Sequence, residues 1–197
     1  MGKSKSSEGN RWLKDRNGFE EELLALADDA SIMYESALDL LKGLQYFSKN
    51  VGEDEKKHPY GKAAKAAKTY GGGMKVPSAS FTSGAEQLTK LHGACEGLKE
   101  HIGSTVLAKM ISFKDIECKE CDMQMTMLKK AHNDYYKKKK ANAEQVALDA
   151  AEASLKKLLE DAKSQLNKFN KAGQDLMNQM STDMKTGFDA YCDAGSA

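Results

Sequence analysis

The sequence predicts an all-α protein, an elongated antiparallel three-helix coiled coil, and three observations point that way. Composition favours helix: Ala, Lys, Glu, Leu and Met dominate the 197 residues, while the β-branched and aromatic residues that build strands are thin. Only two prolines occur, Pro59 and Pro77, so proline interrupts nothing in the second half. Apolar rows recur at alternating four- and three-residue steps, the heptad rhythm, and no stretch alternates with period two.

The first helix is read over residues 14–51. Its row runs Phe19, Leu23, Leu26, Ala30, Met33, Ala37, Leu40, Leu44, Phe47, Val51 in unbroken 4-3 steps. Asp15 or Asn17 can cap its start and Gly52 suits its end. Leu24, Ile32, Leu38 and Leu41 widen the row, which implies burial against more than one neighbour. Leu23, Leu26, Met33, Leu40 and Leu44 are therefore assigned to the core of a homodimer.

Residues 52–79 break the pattern with Pro59, Gly61, Gly71 to Gly73 and Pro77, and are read as a loop holding a short helix from Lys62 to Tyr70. A second helix follows over residues 80–140, with Phe81, Ala85, Leu88, Leu91, Cys95, Leu98, Ile102, Val106, Met110 and Phe113 as its row. The step lengthens to two successive fours after Ile102, a stutter that locally unwinds a supercoil. Gly93, Gly97 and Gly103 invite a bend or a close crossing. Ile116, Met123, Met127, Ala131 and Tyr135 carry the row to the lysine block. The third helix, residues 142–191, runs through Leu155, Leu159, Ala162, Leu166, Phe169, Gly173, Leu176 and Met180. At 1.5 Å per residue the three helices would measure roughly 55, 90 and 70 Å, which implies a rod or arm.

The N-terminal dozen residues lack the apolar core of a secretory signal, and no apolar run approaches the roughly 18 residues of a bilayer span. A cytoplasmic setting with reduced thiols at Cys95, Cys118, Cys121 and Cys192 is the expectation. The net charge of +1 hides segregation: +3 over 1–16, +3 over 52–78 and +5 over 129–140, which leaves −10 for the rest. A near-neutral total disfavours a nucleic-acid binder, whereas three local positive patches favour an anionic surface.

The strongest patch is Lys129 and Lys130 with Lys137, Lys138, Lys139 and Lys140, set where the second helix gives way to the third. The plainer account of such a run is a solvated helix end. Lys62, Lys65 and Lys68 share one face of the short helix, and Lys3 and Lys5 lie in a flexible segment, 1–13, read as a membrane anchor. Gly2 opens the pattern Met1-Gly2-Lys3-Ser4-Lys5-Ser6, which fits N-myristoylation, for which adjacent lysines supply the second signal. An amphipathic helix through Trp12, Leu13 and Phe19 is another use of the same end. No metal, cofactor or catalytic residue is assigned. His92-x-x-Cys95 and Cys118-x-x-Cys121 carry zinc-type ligands but lie about 35 Å apart on one helix. Gly71-Gly72-Gly73-Met74-Lys75 lacks phosphate-loop spacing, and no hydrolase or zinc-protease motif occurs.

Ser112 to Gln145, which runs through an acidic and lysine-rich helix into Tyr135-Tyr136 and the lysine block, resembles the arm tip of the BAR superfamily. Ala37 to Glu53 is similar to the end of that family's first helix. The resemblance implies a six-helix-bundle crescent homodimer that binds anionic phospholipid and senses or generates membrane curvature in endocytosis or trafficking. Its place would be peripheral, on the cytosolic face of the plasma membrane or endosomes. The alternative is a structural coiled-coil scaffold that docks protein partners such as small GTPases or cytoskeletal proteins.

Overall fold

Helix begins where Glu21 and Glu22 meet the positive end of the first turn, and runs to Val51 (α1) in the computed structural model, which describes residues 11–51, 57–73 and 79–196. A second helix, α2, covers Pro59–Gly73. Its start is capped by His58, whose Nδ1 accepts the Tyr60 N–H at 3.3 Å, and Pro59 supplies the first position with no N–H to satisfy. α2 packs on α3 (Ala79–His101), with Ala64 buried.

Helix continues from α3 through a π-helical segment, Ile102–Leu107, into α4 (Ala108–Asp115) and α5 (Glu117–Lys140). The π segment sits where the sequence row stutters. The wider turn keeps Ile102 and Val106 both fully buried and delivers Met110 to the same core. Between α4 and α5 Ile116 departs from helical dihedrals at φ −109° and ψ −75°, although main-chain bonds from Ile116 to Ser112 and from Glu120 to Ile116 carry across the break. α5 closes in a Schellman turn. Asn142 takes φ +49°, its N–H bonds Lys139 O at 3.3 Å, and the Ala143 N–H bonds Lys138 O at 3.1 Å. The last helix, α6, covers Gln145–Ser196.

The predicted three-helix coiled coil is corrected by these elements: the described residues form an all-α bundle of four helical stretches packed against partners distant in sequence. The residues read as a loop over 52–79 hold one of the four, α2. With the three-helix protomer gone, the six-helix crescent has no basis. Part of the seam assigned to a dimer is filled within one chain. Leu23 is fully buried and Leu44 nearly so, Leu26 and Met33 are half-buried, and Leu40 is exposed. On α1 the positions shared by both patterns are Leu23, Ala30, Ala37 and Leu44. The rest of the buried face moves one residue on, to Leu24, Ala27, Ser31, Leu41 and Ser48. A 100° rotation of that kind is what neighbours on one flank of the row demand.

The chain divides into two compact units, and α1 and α6 contribute to both. Unit 1 comprises residues up to Asp39 and Ile111–Leu176. Its core joins Leu23, Phe113, Met125, Leu128, Leu166 and Phe169. Gly173 of α6 lies against Met33, where an added Cβ would come within 2.5 Å of the methionine Cγ, so glycine sets how closely these helices approach. Unit 2 comprises Leu40–Met110 and the chain from Met177. It buries Leu41, Leu98, Ile102, Val106 and Met180, and the Asp183 carboxylate accepts from Lys109 Nζ at 2.7 Å while His101 Nε2 meets Asp183 O at 2.8 Å. Gly93, Gly97 and Gly103 face open space, so they make no close crossing.

Candidate functional site

The site with most chemistry lies in unit 1 and is built by a segment of irregular chain, residues 11–20, strapped over α1, α5 and α6. Its anchor is Trp12, 3% exposed, with Leu13 at 1%. The indole packs edge-on to Tyr34 and to Phe169, each at 5.8 Å between ring centroids. Its Nε1–H is satisfied by Asp122 Oδ1 at 2.6 Å, which removes the cost of burying that donor. Asp122 also pairs with Arg11 Nη2 at 3.3 Å, and the Arg11 guanidinium lies 4.1 Å from the Tyr34 ring centre. One carboxylate of α5 therefore holds two consecutive strap residues.

The strap then turns. Asn17 N–H bonds the Asp15 carboxylate at 3.1 Å, and Gly18 adopts φ +80°. A Cβ there would be strained by the backbone and would collide with Tyr136 and His132, so only glycine fits. Phe19 stacks on the His132 ring at 4.2 Å, and His132 lies 4.6 Å from the Tyr136 ring. Burial holds the His132 pKa below its ordinary value, with the Asn17 main chain and Asp15 pulling the other way. Beyond the strap, Lys163 of α6 bonds Glu20 at 2.7 Å and Glu22 at 2.9 Å; these bonds raise its pKa and lower that of Glu20.

Strap and α5 together leave a cleft of about 240 Å³ lined by Arg11, Trp12, Leu13, Lys14, Asp15, Phe19, Lys129, His132 and Asn133. Three basic side chains meet one acidic one in this lining, with Asp122 engaged behind Arg11. Partial burial depresses the Lys129 pKa; Asp122 opposes this, and Lys14 and Arg11 add to it. Such crowding of like charge is relieved by an anion. The adjoining open cleft shares Arg11, Lys14 and Lys129 but adds Glu35 and Asp122, whose carboxylates repel one.

Of the membrane-facing lysines singled out in the sequence, Lys129 alone joins this lining. Lys130, Lys137, Lys139 and Lys140 are exposed on α5 beyond it, and Lys138 bonds Asp134 at 2.7 Å. The last four lie in the final turn, where positive charge also complements the helix dipole. Lys62, Lys65 and Lys68 occupy the exposed face of α2 in unit 2. Gly2, Lys3 and Lys5 fall outside the described residues. The amphipathic helix expected through Trp12, Leu13 and Phe19 is corrected: the segment is not helical, and its apolar side chains are committed to the bundle. Cys118 and Cys121 are buried in unit 1 and Cys95 in unit 2, apart from exposed Cys192. Burial, the largest effect, pushes both the Cys118 and Cys121 thiols up to about 12, and neighbouring Asp122 adds to it. Among the described residues no group of three or more His, Cys, Asp or Glu is placed to hold a metal ion, and no helix is long and apolar enough to cross a membrane. What sequence reading missed was the strap; its signal was a lone tryptophan in a polar segment, seven residues before Phe19.

No family model matches the chain, and no curated protein matches it. With four helical stretches in place of the expected three, the BAR resemblance is overturned. The curvature-scaffold function and its coiled-coil alternative fall with it.

Proposed function

We propose that the chain is a binding protein rather than an enzyme, and that unit 1 recognises a phosphate-bearing anion in the cleft between the strap and α5. The observation that supports this is the convergence of Arg11, Lys14 and Lys129 on a partly desolvated cleft beside the Asn133 amide and the His132 ring. At about 240 Å³ the cleft is smaller than the roughly 300–1,000 Å³ of drug-sized sites, which suits a phosphate monoester with a small apolar group against Phe19. Guanidinium and ammonium groups are the donors that phosphate oxygens recruit.

A soluble ester and the headgroup of an anionic phospholipid share that chemistry. The second source would place the protein in the cytoplasm and at a membrane surface. Equilibrium dialysis against phenyl phosphate, and pelleting with phosphatidylserine-containing or pure phosphatidylcholine vesicles, separate the two. Saturable, salt-sensitive uptake of phenyl phosphate that Lys14→Glu with Lys129→Glu abolishes supports the soluble source. Pelleting with anionic vesicles only, lost in the same variant, supports the lipid source. Retention of either by the variant, or no binding at all, overturns the reading.

A further inference from the structure

Of the four histidines, His58, His92 and His101 belong to unit 2, and His132 lines the cleft of unit 1. Its ring stacks on Phe19 at 4.2 Å and lies 4.6 Å from the Tyr136 ring, and both neighbours limit its rotation. The Nε2 atom is buried and has no hydrogen-bond partner among the described residues. It lies under the strap, where a Cβ added at Gly18 would come within 3.0 Å of it. A buried ring nitrogen left unpaired costs free energy whether it is the donor or the acceptor of the neutral ring.

The groups that share the cleft with this ring carry both signs. Arg11, Lys14 and Asp15 come from the strap, Lys129 comes from α5, and the Tyr136 hydroxyl stands beside the ring at Gly18. Asp15 and the Asn17 main chain favour the imidazolium, but burial outweighs them, so the uncharged ring prevails at pH 7. A bound anion changes that balance. It neutralises the three basic side chains and supplies the opposite charge that favours a proton on the imidazole. Coupling of this kind is reciprocal: an anion that strengthens protonation is itself held more tightly by the protonated ring.

We propose, on the phosphate reading of this cleft, that His132 is its proton-linked contact. One proton passes from solvent to the imidazole as the phosphate group binds, and an anion of fixed charge is held more tightly as pH falls. Wild-type protein carrying 13C-labelled histidine is titrated by NMR from pH 8 to pH 5 at low ionic strength, with and without saturating phenyl phosphate. His132→Asn identifies the signal. With phenyl phosphate the His132 midpoint rises by about half a unit or more, while the histidines of unit 2 hold theirs. The rise is absent from Lys14→Glu with Lys129→Glu. Phenyl phosphate loses its own second proton in the same range, so affinity is read as the ratio of wild type to His132→Asn, in which that ionisation cancels. This ratio of association constants rises about twofold or more from pH 8 to pH 5. Phenyl phosphate that binds while the His132 midpoint stays or falls, or a ratio that does not change with pH, overturns the proposal and leaves the phosphate reading standing. A midpoint rise that persists in the double lysine variant also overturns it, because the anion then acts from elsewhere. No binding of phenyl phosphate overturns both.

Discussion

Trp12 Nε1 donates a 2.6 Å hydrogen bond to Asp122 Oδ1, a link between residues 110 positions apart that ties the irregular start of the described chain to the middle of α5. The same indole fills the gap between Tyr34 and Phe169, so the strap is part of the core of unit 1 and not an appendage to it. This link also fixes the wall of the cleft, because Arg11, Leu13 and Lys14 follow wherever Trp12 is held.

Trp12→Phe keeps the apolar ring and leaves the Asp122 oxygen without its donor, for an expected cost of about 1–3 kcal/mol. Trp12→Ala adds the loss of packing, bringing the cost to about 3–5 kcal/mol. Urea unfolding followed by circular dichroism reads both. If alanine costs no more than phenylalanine, the indole is not a core residue.

Thiol chemistry gives a second check on burial. Cys118 and Cys121 are 3% and 0% exposed with thiols pushed up to about 12, and Cys95 is 6% exposed. A thiolate is the reactive form, so at neutral pH a chromogenic disulfide reagent should label Cys192 quickly and the other three only as the protein unfolds. Rapid labelling of Cys118 or Cys121 in the native state would show that their region of unit 1 opens freely.

His132 makes stability depend on pH in a direction that follows from its environment. Burial lowers its folded-state pKa, so the unfolded chain takes up a proton first as pH falls through the unfolded value of about 6.5. Native stability should therefore decline from there down to the folded pKa, and the Phe19 stack should loosen with it. Compared over pH 5 to 8, His132→Asn should show a flatter dependence of unfolding midpoint than the wild type. An equally steep profile would assign the pH sensitivity to other groups.

Parts of this arrangement are legible in the sequence, and the failures have a common physical origin. Along α6 the heptad row from Leu155 to Met180 matches the buried row at every position but Leu159, which is half-buried. The stutter after Ile102 marks the π segment, where two four-residue steps need a wider turn. The lysine block ends α5 because Asn142 tolerates the left-handed turn that follows. On α5 itself the buried row lies on the opposite side from the expected Ile116, Met123 and Met127. Cys118, Cys121, Met125 and Leu128 also step 3-4-3, and only the break at Ile116 shifts the phase in their favour. The strap is hard to read for a different reason: Trp12 is its one local mark, and its order depends on contacts with Tyr34, Asp122 and Phe169 far along the chain.

The most direct test of the anion cleft uses its own reporter, since Trp12 is the single tryptophan of the chain and lines that cleft. Emission is followed as phenyl phosphate is added at low ionic strength, with phenol as the uncharged control. A saturable change with phenyl phosphate that weakens as salt is raised is expected, with none from phenol and none in Lys129→Glu. An unresponsive Trp12, or one that responds alike to phenol and to its phosphate, would contradict it.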